Sequence, residues 1–222
     1  HQNETGLFTG PARLETQRLS GLDGPLFHQL WSAAQARHVP LLVEADGAQS
    51  KPLKAPAAYE PAIPDCANLV VVCVGLSGLG QPLVESLVHR AHLFAELADL
   101  LPGHEITPDA LVRLLLHPQG GLKNIPPGTR RVLLLNQADT PALEGQARWI
   151  AEQVLGDYAA VLIGVLAQGG ILHVWEPSAA IVLAAGGARR FGRPKQLLEV
   201  EGQPLVRRVA RLALAAGLRP VK

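Results

Sequence analysis

The sequence predicts an α/β protein: a doubly wound, mainly parallel sheet, followed by the first βαβ portion of a second α/β domain. Three observations lead there. "VPLLVEAD" (39–46), "NLVVVCVG" (68–75), "RRVLLLNQ" (130–137) and "AAVLIGVL" (159–166) are continuous Val, Leu and Ile runs rather than alternating ones. That is the pattern of strands buried on both faces. Helix-period stretches lie among them, at 24–37, 82–100, 107–117 and 141–155, and strand–helix–strand succession favours right-handed βαβ units. Finally, a new strand, glycine turn and helix begin near Glu176-Pro177.

The helix starts are legible locally. Thr107-Pro108-Asp109 and Thr140-Pro141 each place a capping hydroxyl before a proline at the first helical position. The segment 47–64 carries Pro52, Pro56, Pro61 and Pro64 and is expected to be a long, functional loop. Beyond Pro177, "SAAIVLAAGG" is expected as a strand running into a turn. "QPLVRRVARLALAAG" (203–217) is expected as an amphipathic helix, and "LRPVK" as the next strand beginning. The chain divides into 1–176 and 177–222, and is expected to be a piece of a longer polypeptide, truncated at both ends.

Composition narrows the function. Hydrophobic residues make up 48 % of the 222, which supports a packed core. A net charge of +1 and 4 % aromatic residues argue against broad adhesion to nucleic acid or base stacking. Apolar runs of about eight residues fall short of the roughly 18 that span a bilayer. With no signal-peptide pattern at the N-terminus, a cytoplasmic protein is expected, with Cys66 and Cys73 as buried, reduced thiols.

Three constellations carry chemistry. In "LAAGGARRFGRPKQLL" (183–198), Gly186 and Gly187 let backbone amides approach a ligand, and Arg189, Arg190 and Lys195 supply positive charge for a polyphosphate. The spacing matches neither a P-loop nor the dinucleotide fingerprint. In "LLVEADGAQSKPLKAPAAYEPAIP" (41–64), a strand would send Glu44 and Asp46 to one side, where they suit Mg²⁺. Lys51 and Lys54 follow as candidate phosphate contacts; the same four residues equally suit ordinary salt bridges. In "LLLNQAD" (133–139), Asp139 is placed to accept from a base while Asn136 braces its loop, with Gln137 standing between them. These features fit a P-loop NTPase-like domain lacking its first strand and P-loop.

L-A-A-G-x-x-x-R-F-G-x-x-K-x-L-L resembles the opening signature of the MobA-like nucleotidyltransferases, and its A-A-G form is similar to molybdenum cofactor cytidylyltransferases. "LLEVEGQPLVRRV" continues the likeness through a short hairpin and helix; Ala188 departs from it where serine is frequent. The resemblance implies a Rossmann-like domain in which Leu183, Ala184, Ala185, Gly186 and Gly187 line the base. Arg190 and Lys195 would be the catalytic contacts on the phosphates of the nucleotide. It also implies Mg²⁺, held by aspartates from later strands, so that this stretch alone is expected to be inactive.

V-E-A-D-G-A, K-A-P-x-x-x-E-P-x-I-P, "VHR" (88–90), "HPQGGLK" (117–123) and "NQAD" resemble the YqeC family over residues 5–170. That family is described as accessory to selenium-dependent molybdenum hydroxylases, and some members are fused to a MobA-like domain. The matching positions are Glu44, Asp46, Lys51, Lys54, Glu60, His89, Arg90, Lys123, Asn136 and Asp139. Together the resemblances imply a maturation protein that transfers a nucleotide, CMP from CTP, to the molybdopterin cofactor. The N-terminal module would bind GTP or ATP. In the alternative, the YqeC-like part is a nucleotide-dependent switch or chaperone delivering selenium or cofactor to a molybdenum hydroxylase.

Overall fold

The computed structural model describes residues 12–13, 18–19, 21–184 and 194–218. The chain packs as two compact units, residues 1–44 and 45–222. In the first, β1 (Ala12–Arg13) and β2 (Arg18–Leu19) form an antiparallel pair, followed by α1 (Gly24–Arg37). The α1 boundaries are the expected ones. Asp23 caps the helix by accepting from the Leu26 N–H at 2.8 Å. Pro25 sits in the first turn, where its missing N–H costs nothing. At the other end His38 takes φ 53°, and the His38 and Val39 amides close on the carbonyls of Gln35 and Ala34.

The expected strand at 39–46 is not formed. Residues 39–48 run as irregular chain, and Leu42 is 91 % exposed. An apolar run becomes a strand only where a neighbouring backbone answers its N–H and C=O groups, and no such ladder is present there.

In the second unit the elements are β3 (Leu53–Lys54), β4 (Leu69–Gly75), β5 (Val88–His89), α2 (Ala91–Ala98), α3 (Pro108–Leu116), β6 (Arg130–Asn136), α4 (Pro141–Val154), β7 (Ala160–Val165) and β8 (Gly170–Trp175), then β9 (Glu199–Val200), β10 (Gln203–Pro204) and α5 (Leu205–Ala215). The main sheet runs β4-β6-β7-β8; the first three strands are parallel, and β8 closes one edge antiparallel. The class is therefore α/β. Thr107 and Thr140 cap α3 and α4, accepting from the Ala110 and Leu143 amides at 3.2 Å each.

The expected helix at 82–100 begins only at Ala91. Before it, the backbone is drawn into tertiary bonds: Leu83 N–H to His104 O, Ile106 N–H to Gln81 O, and Ala55 N–H to His89 O. Leu83 and Val88 are still buried, so the apolar spacing that suggested a helix serves a loop and a short strand instead. Arg90, at φ 63°, separates β5 from α2.

The sheet's register sorts its two faces. Leu133, Leu135, Val161 and Ile163 are fully buried and join α3 and α4 in the core. Alternation sends Val71, Cys73, Val132, Leu134 and Val174 to the opposite face. There Val71 and Val174 are exposed, and Val132 and Leu134 stand outside the core cluster. The central strands β6 and β7 are nonetheless buried on both faces, with Val132 7 % and Leu134 8 % exposed, as their continuous apolar runs suggested; on this face it is the edge strands β4 and β8 that are exposed. Cys73 and Cys66 are free thiols, as expected, but exposed rather than buried.

Of the segment expected as a strand at 178–187, the described part, 178–184, holds no regular strand, and 185–187 lie outside the described residues. The hairpin and helix after it are seen. Glu201 and Gly202, at φ 53° and 74°, make the tight turn between β9 and β10. Arg208 pairs with Glu201, and Arg211 donates to Gln203 Oε1 at 3.0 Å, tying α5 to that hairpin.

The two faces make a testable contrast. Leu133→Ala, at 0 % exposure, should cost about 2–5 kcal/mol in a denaturant melt. Val174→Ala, at 60 % exposure, should stay within about 0.5 kcal/mol of the parent.

Candidate functional site

The residues singled out at 46–61 and 88–90 converge. β3 and β5 meet as a two-residue parallel ladder, Leu53 opposite Val88 and Lys54 opposite His89. Gly75, at the end of β4, lies against the start of this ladder: its N–H donates to Pro52 O at 2.9 Å. A Cβ there would come within 2.9 Å of Pro52 Cα, so only glycine allows the approach.

Around the ladder lies a network of charges. The Lys54 ammonium donates to Asp46 Oδ2 at 2.7 Å, Glu60 Oε2 at 2.8 Å and the Gly47 carbonyl at 2.9 Å. Glu60 also receives a two-pronged contact from Arg90, Nη1 to Oε2 at 2.7 Å and Nη2 to Oε1 at 2.9 Å. The Ala57 amide adds a third donor at 3.3 Å, and Arg90 Nη1 reaches the Ala55 carbonyl at 3.2 Å. The side chains of Lys54, Glu60 and Arg90 are only 12–16 % exposed. Burial by itself would raise the Glu60 carboxyl. The hydrogen bonds from Arg90, Lys54 and Ala57, with the Lys54 charge, outweigh it and hold the group at about 2, against an ordinary 4.5.

Two residues after α3 fasten the same loop. Lys123, 7 % exposed, donates to Ala57 O at 2.5 Å. Asn124 Nδ2 donates to Pro61 O at 3.1 Å and Glu60 O at 3.4 Å. The glycines before them belong to the end of α3: the Gly120 and Gly121 amides donate to His117 and Leu114 carbonyls. A Cβ on Gly120 would lie 2.2 Å from Leu114 O. "HPQGGLK" is thus a helix-terminating turn whose two glycine amides are already used.

Lys51 pairs with Glu85, at 3.9 Å, and donates to the Glu85 carbonyl. Glu85 in turn accepts from the Ala91 amide at 2.8 Å, capping α2. Glu85 and Asn124 are the members that sequence reasoning missed. A helical pattern hid the first, and nothing local marks the second.

Asn136, Gln137 and Asp139 stand at the end of β6. Asn136 Oδ1 accepts from Leu166 N–H at 3.0 Å, bracing the turn after β7 rather than its own loop. Gln137, at φ 65°, accepts from Ser77 Oγ at 2.7 Å and packs over Gly75, where a Cβ would meet its Oε1 at 2.4 Å. Asp139 is exposed, immediately before the Thr140 cap.

The carboxylates do not align as the sequence suggested. Without a strand at 39–46, nothing sends Glu44 and Asp46 to a common side; Glu44 is exposed, and Asp46 is engaged by Lys54. Among the described residues no group of three or more His, Cys, Asp or Glu is arranged to hold a metal. In the C-terminal constellation Leu183 is exposed, Ala184 lies in irregular chain, and Lys195 opens a 3-10 turn at Lys195–Leu197. Ala185, Gly186, Gly187 and Arg190 lie outside the described residues. No described helix is long and apolar enough to cross a membrane.

The Glu60 network sets a pH dependence whose sign is fixed. Its carboxyl titrates lower folded than unfolded, so its contribution is full above 4.5 and is lost as pH falls through about 2. Glu60→Gln should lower stability at neutral pH by about 1–2 kcal/mol, allowing for solvent screening of the network. It should also flatten the acid limb of stability against pH, measured by urea melts between those two values.

Comparison with known proteins follows the two halves. Residues 1–92 match the family described as YqeC protein, a stretch that contains Asp46, Lys51, Lys54, Glu60, His89 and Arg90. "Uncharacterized protein YqeC" of Escherichia coli (strain K12) is 41 % identical over 97 residues, covering 44 % of this chain and 38 % of the relative. The matched stretch is thus well under half the length of that curated relative. No solved structure matches the chain. Residues 180–222 match the MobA-like NTP transferase domain. Both resemblances drawn from the sequence are therefore borne out where the matches lie: the chain is similar to YqeC over 1–92, short of the expected 5–170, and to MobA-like NTP transferases over 180–222.

Proposed function

We propose that this chain serves molybdenum cofactor maturation, its C-terminal segment gripping a nucleoside triphosphate for nucleotidyl transfer. The observation that carries this reading is the MobA-like match over 180–222, which coincides with the L-A-A-G-x-x-x-R-F-G-x-x-K-x-L-L string. The transfer would join CMP from CTP to molybdopterin: the terminal phosphate of the cofactor attacks the α-phosphorus and pyrophosphate leaves. Arg190 and Lys195 would neutralise the phosphates, while Leu183, Ala184, Ala185, Gly186 and Gly187 line the base. Mg²⁺, when bound, supplies charge neutralisation at the phosphates.

The N-terminal module is assigned a second nucleotide, GTP or ATP, with Asp139 reading the base and Lys51 and Lys123 near the phosphates. One observation favours a switch over a catalyst here. Lys54 and Arg90 are both engaged by carboxylates, so a ligand must exchange partners with them before they can serve it. Asp46 likewise reaches Mg²⁺ only by releasing Lys54. This arrangement suits a nucleotide-responsive carrier that delivers selenium or cofactor to a molybdenum hydroxylase in the cytoplasm.

Calorimetry of the full chain with CTP, GTP and ATP in the presence of Mg²⁺ tests the reading. CTP should bind, and Arg190→Ala with Lys195→Ala should weaken it by about tenfold or more. Asp139→Ala should affect GTP or ATP and leave CTP alone. Heat absent for all three nucleotides contradicts the reading. Nucleotide hydrolysis abolished by Asp46→Ala would favour catalysis by the first module, and binding without turnover would favour the switch.

A further inference from the structure

The pleat sorts β8 as it does the strands beside it. His173 stands opposite Ile163 of β7, which is buried against the helices, so the imidazole leaves the sheet on the α4 side. There it meets Glu144 and Arg148, one turn apart near the start of α4. His173 Nε2 lies 2.7 Å from Glu144 Oε1 and 3.0 Å from Arg148 Nη2. Arg148 Nη2 donates to the same Glu144 oxygen at 2.5 Å. The imidazole and the carboxylate are part-buried, 33 % and 28 % exposed.

Two features set this trio apart from an ordinary surface ion pair. The first is a conflict at one atom. A ring nitrogen that carries a hydrogen donates to a carboxylate; a bare one accepts from a guanidinium. His173 Nε2 has both neighbours and can satisfy one at a time, so its proton selects between Glu144 and Arg148. The second is the place of His173 in the sheet. β8 is an edge strand, and its register slips directly beside His173: Ile163 faces His173, but Gly164 faces Ile171, which leaves Leu172 outside the pairing. Gly164 permits the irregularity, since a Cβ there would lie 2.7 Å from Gly170 O. The side-chain bridge to α4 thus stands where the backbone ladder is interrupted.

We propose that His173, Glu144 and Arg148 form a proton-operated latch between β8 and α4. With the ring protonated, the imidazolium holds the Glu144 carboxylate and fastens the edge strand. Loss of the charge ends that attraction and lets Nε2 turn to Arg148 as an acceptor. Among the described residues the charged groups in contact with the ring are these two, both from α4; Glu144 favours the charged ring and Arg148 opposes it. The His173 hydrogen bond first, and Arg148 next, hold the Glu144 carboxyl below its usual range. The carboxylate therefore stays charged through the interval in which imidazoles titrate, roughly pH 5 to 8. The latch is closed while the ring is charged and loosens as pH rises through that interval. β8 is the last strand before the MobA-like stretch, so pH sets how firmly that end of the sheet is held. This device does not rest on the nucleotide reading.

Hydrogen exchange of the β8 amides in the full chain, read by NMR as protection factors, tests the latch; the factors remove the intrinsic pH dependence of exchange. In the wild type, β8 protection should fall by about threefold or more from mildly acidic to mildly alkaline pH, while that of β6 holds. His173→Gln keeps a neutral donor and should abolish the fall. In the same variant the Glu144 carboxyl, followed by carbon NMR, should titrate higher than in the wild type. Glu144→Gln, the second variant, should be equally flat in β8 protection. Protection in wild-type β8 that does not change with pH, or a fall that persists in either folded variant, overturns the proposal.

Discussion

The carboxylate of Glu60 is the point on which the loop 46–61 depends. It accepts from a guanidinium, an ammonium and a backbone amide, supplied by Arg90, Lys54 and Ala57. Each hydrogen bond to a charged group is worth about 1.5–3 kcal/mol net, and an unmatched carboxylate in such surroundings costs more than that. The balance therefore turns on completeness. With all three donors in place the loop is pinned to β5; with one removed, the rest become a liability. Lys123 and Asn124 add a second layer by holding the carbonyls of Ala57, Glu60 and Pro61 from the far side.

That pinning is possible only because the scaffold beneath it is close-packed. Gly75 lets Pro52 lie against the end of β4, and Gln137 closes over the same glycine with Ser77 as its partner. The end of β6, which carries Asn136 and Asp139, and the start of the ladder thus share one contact point. Gly75, Pro52, Ser77 and Gln137 are the residues that meet there. The β3–β5 ladder is itself too short to persist alone; its charged outer face and buried inner face hold it together.

Much of the fold was legible because its signals are local. Thr107-Pro108 and Thr140-Pro141 start helices by chemistry contained in a few residues, and both starts are where the sequence put them. The runs at 68–75, 130–137 and 159–166 became β4, β6 and β7, since each found parallel neighbours. The run at 39–46 was of the same kind and found none: hydrophobicity specifies a wish to be buried, not a partner. The 82–90 stretch failed as a helix for the converse reason. Its backbone bonds go to residues 53–55 and 103–106, contacts no window along the chain can reveal. The site was legible as residue types and opaque as pairings. Asp46, Lys51, Lys54, Glu60, His89, Arg90 and Lys123 all stood out, but Glu60 and Arg90 are 30 positions apart and Lys123 and Ala57 are 66. The lysines found carboxylates and carbonyls, the plainer of the two roles the sequence allowed.

A double-mutant cycle on Glu60→Gln and Arg90→Met, read by urea denaturation at neutral pH, tests the Glu60 anchor most directly. If the two-pronged pair holds the loop, the two changes are strongly non-additive, with a coupling of about 1–3 kcal/mol. Additivity within about 0.5 kcal/mol would mean that the loop is held by something other than Glu60, contradicting the account.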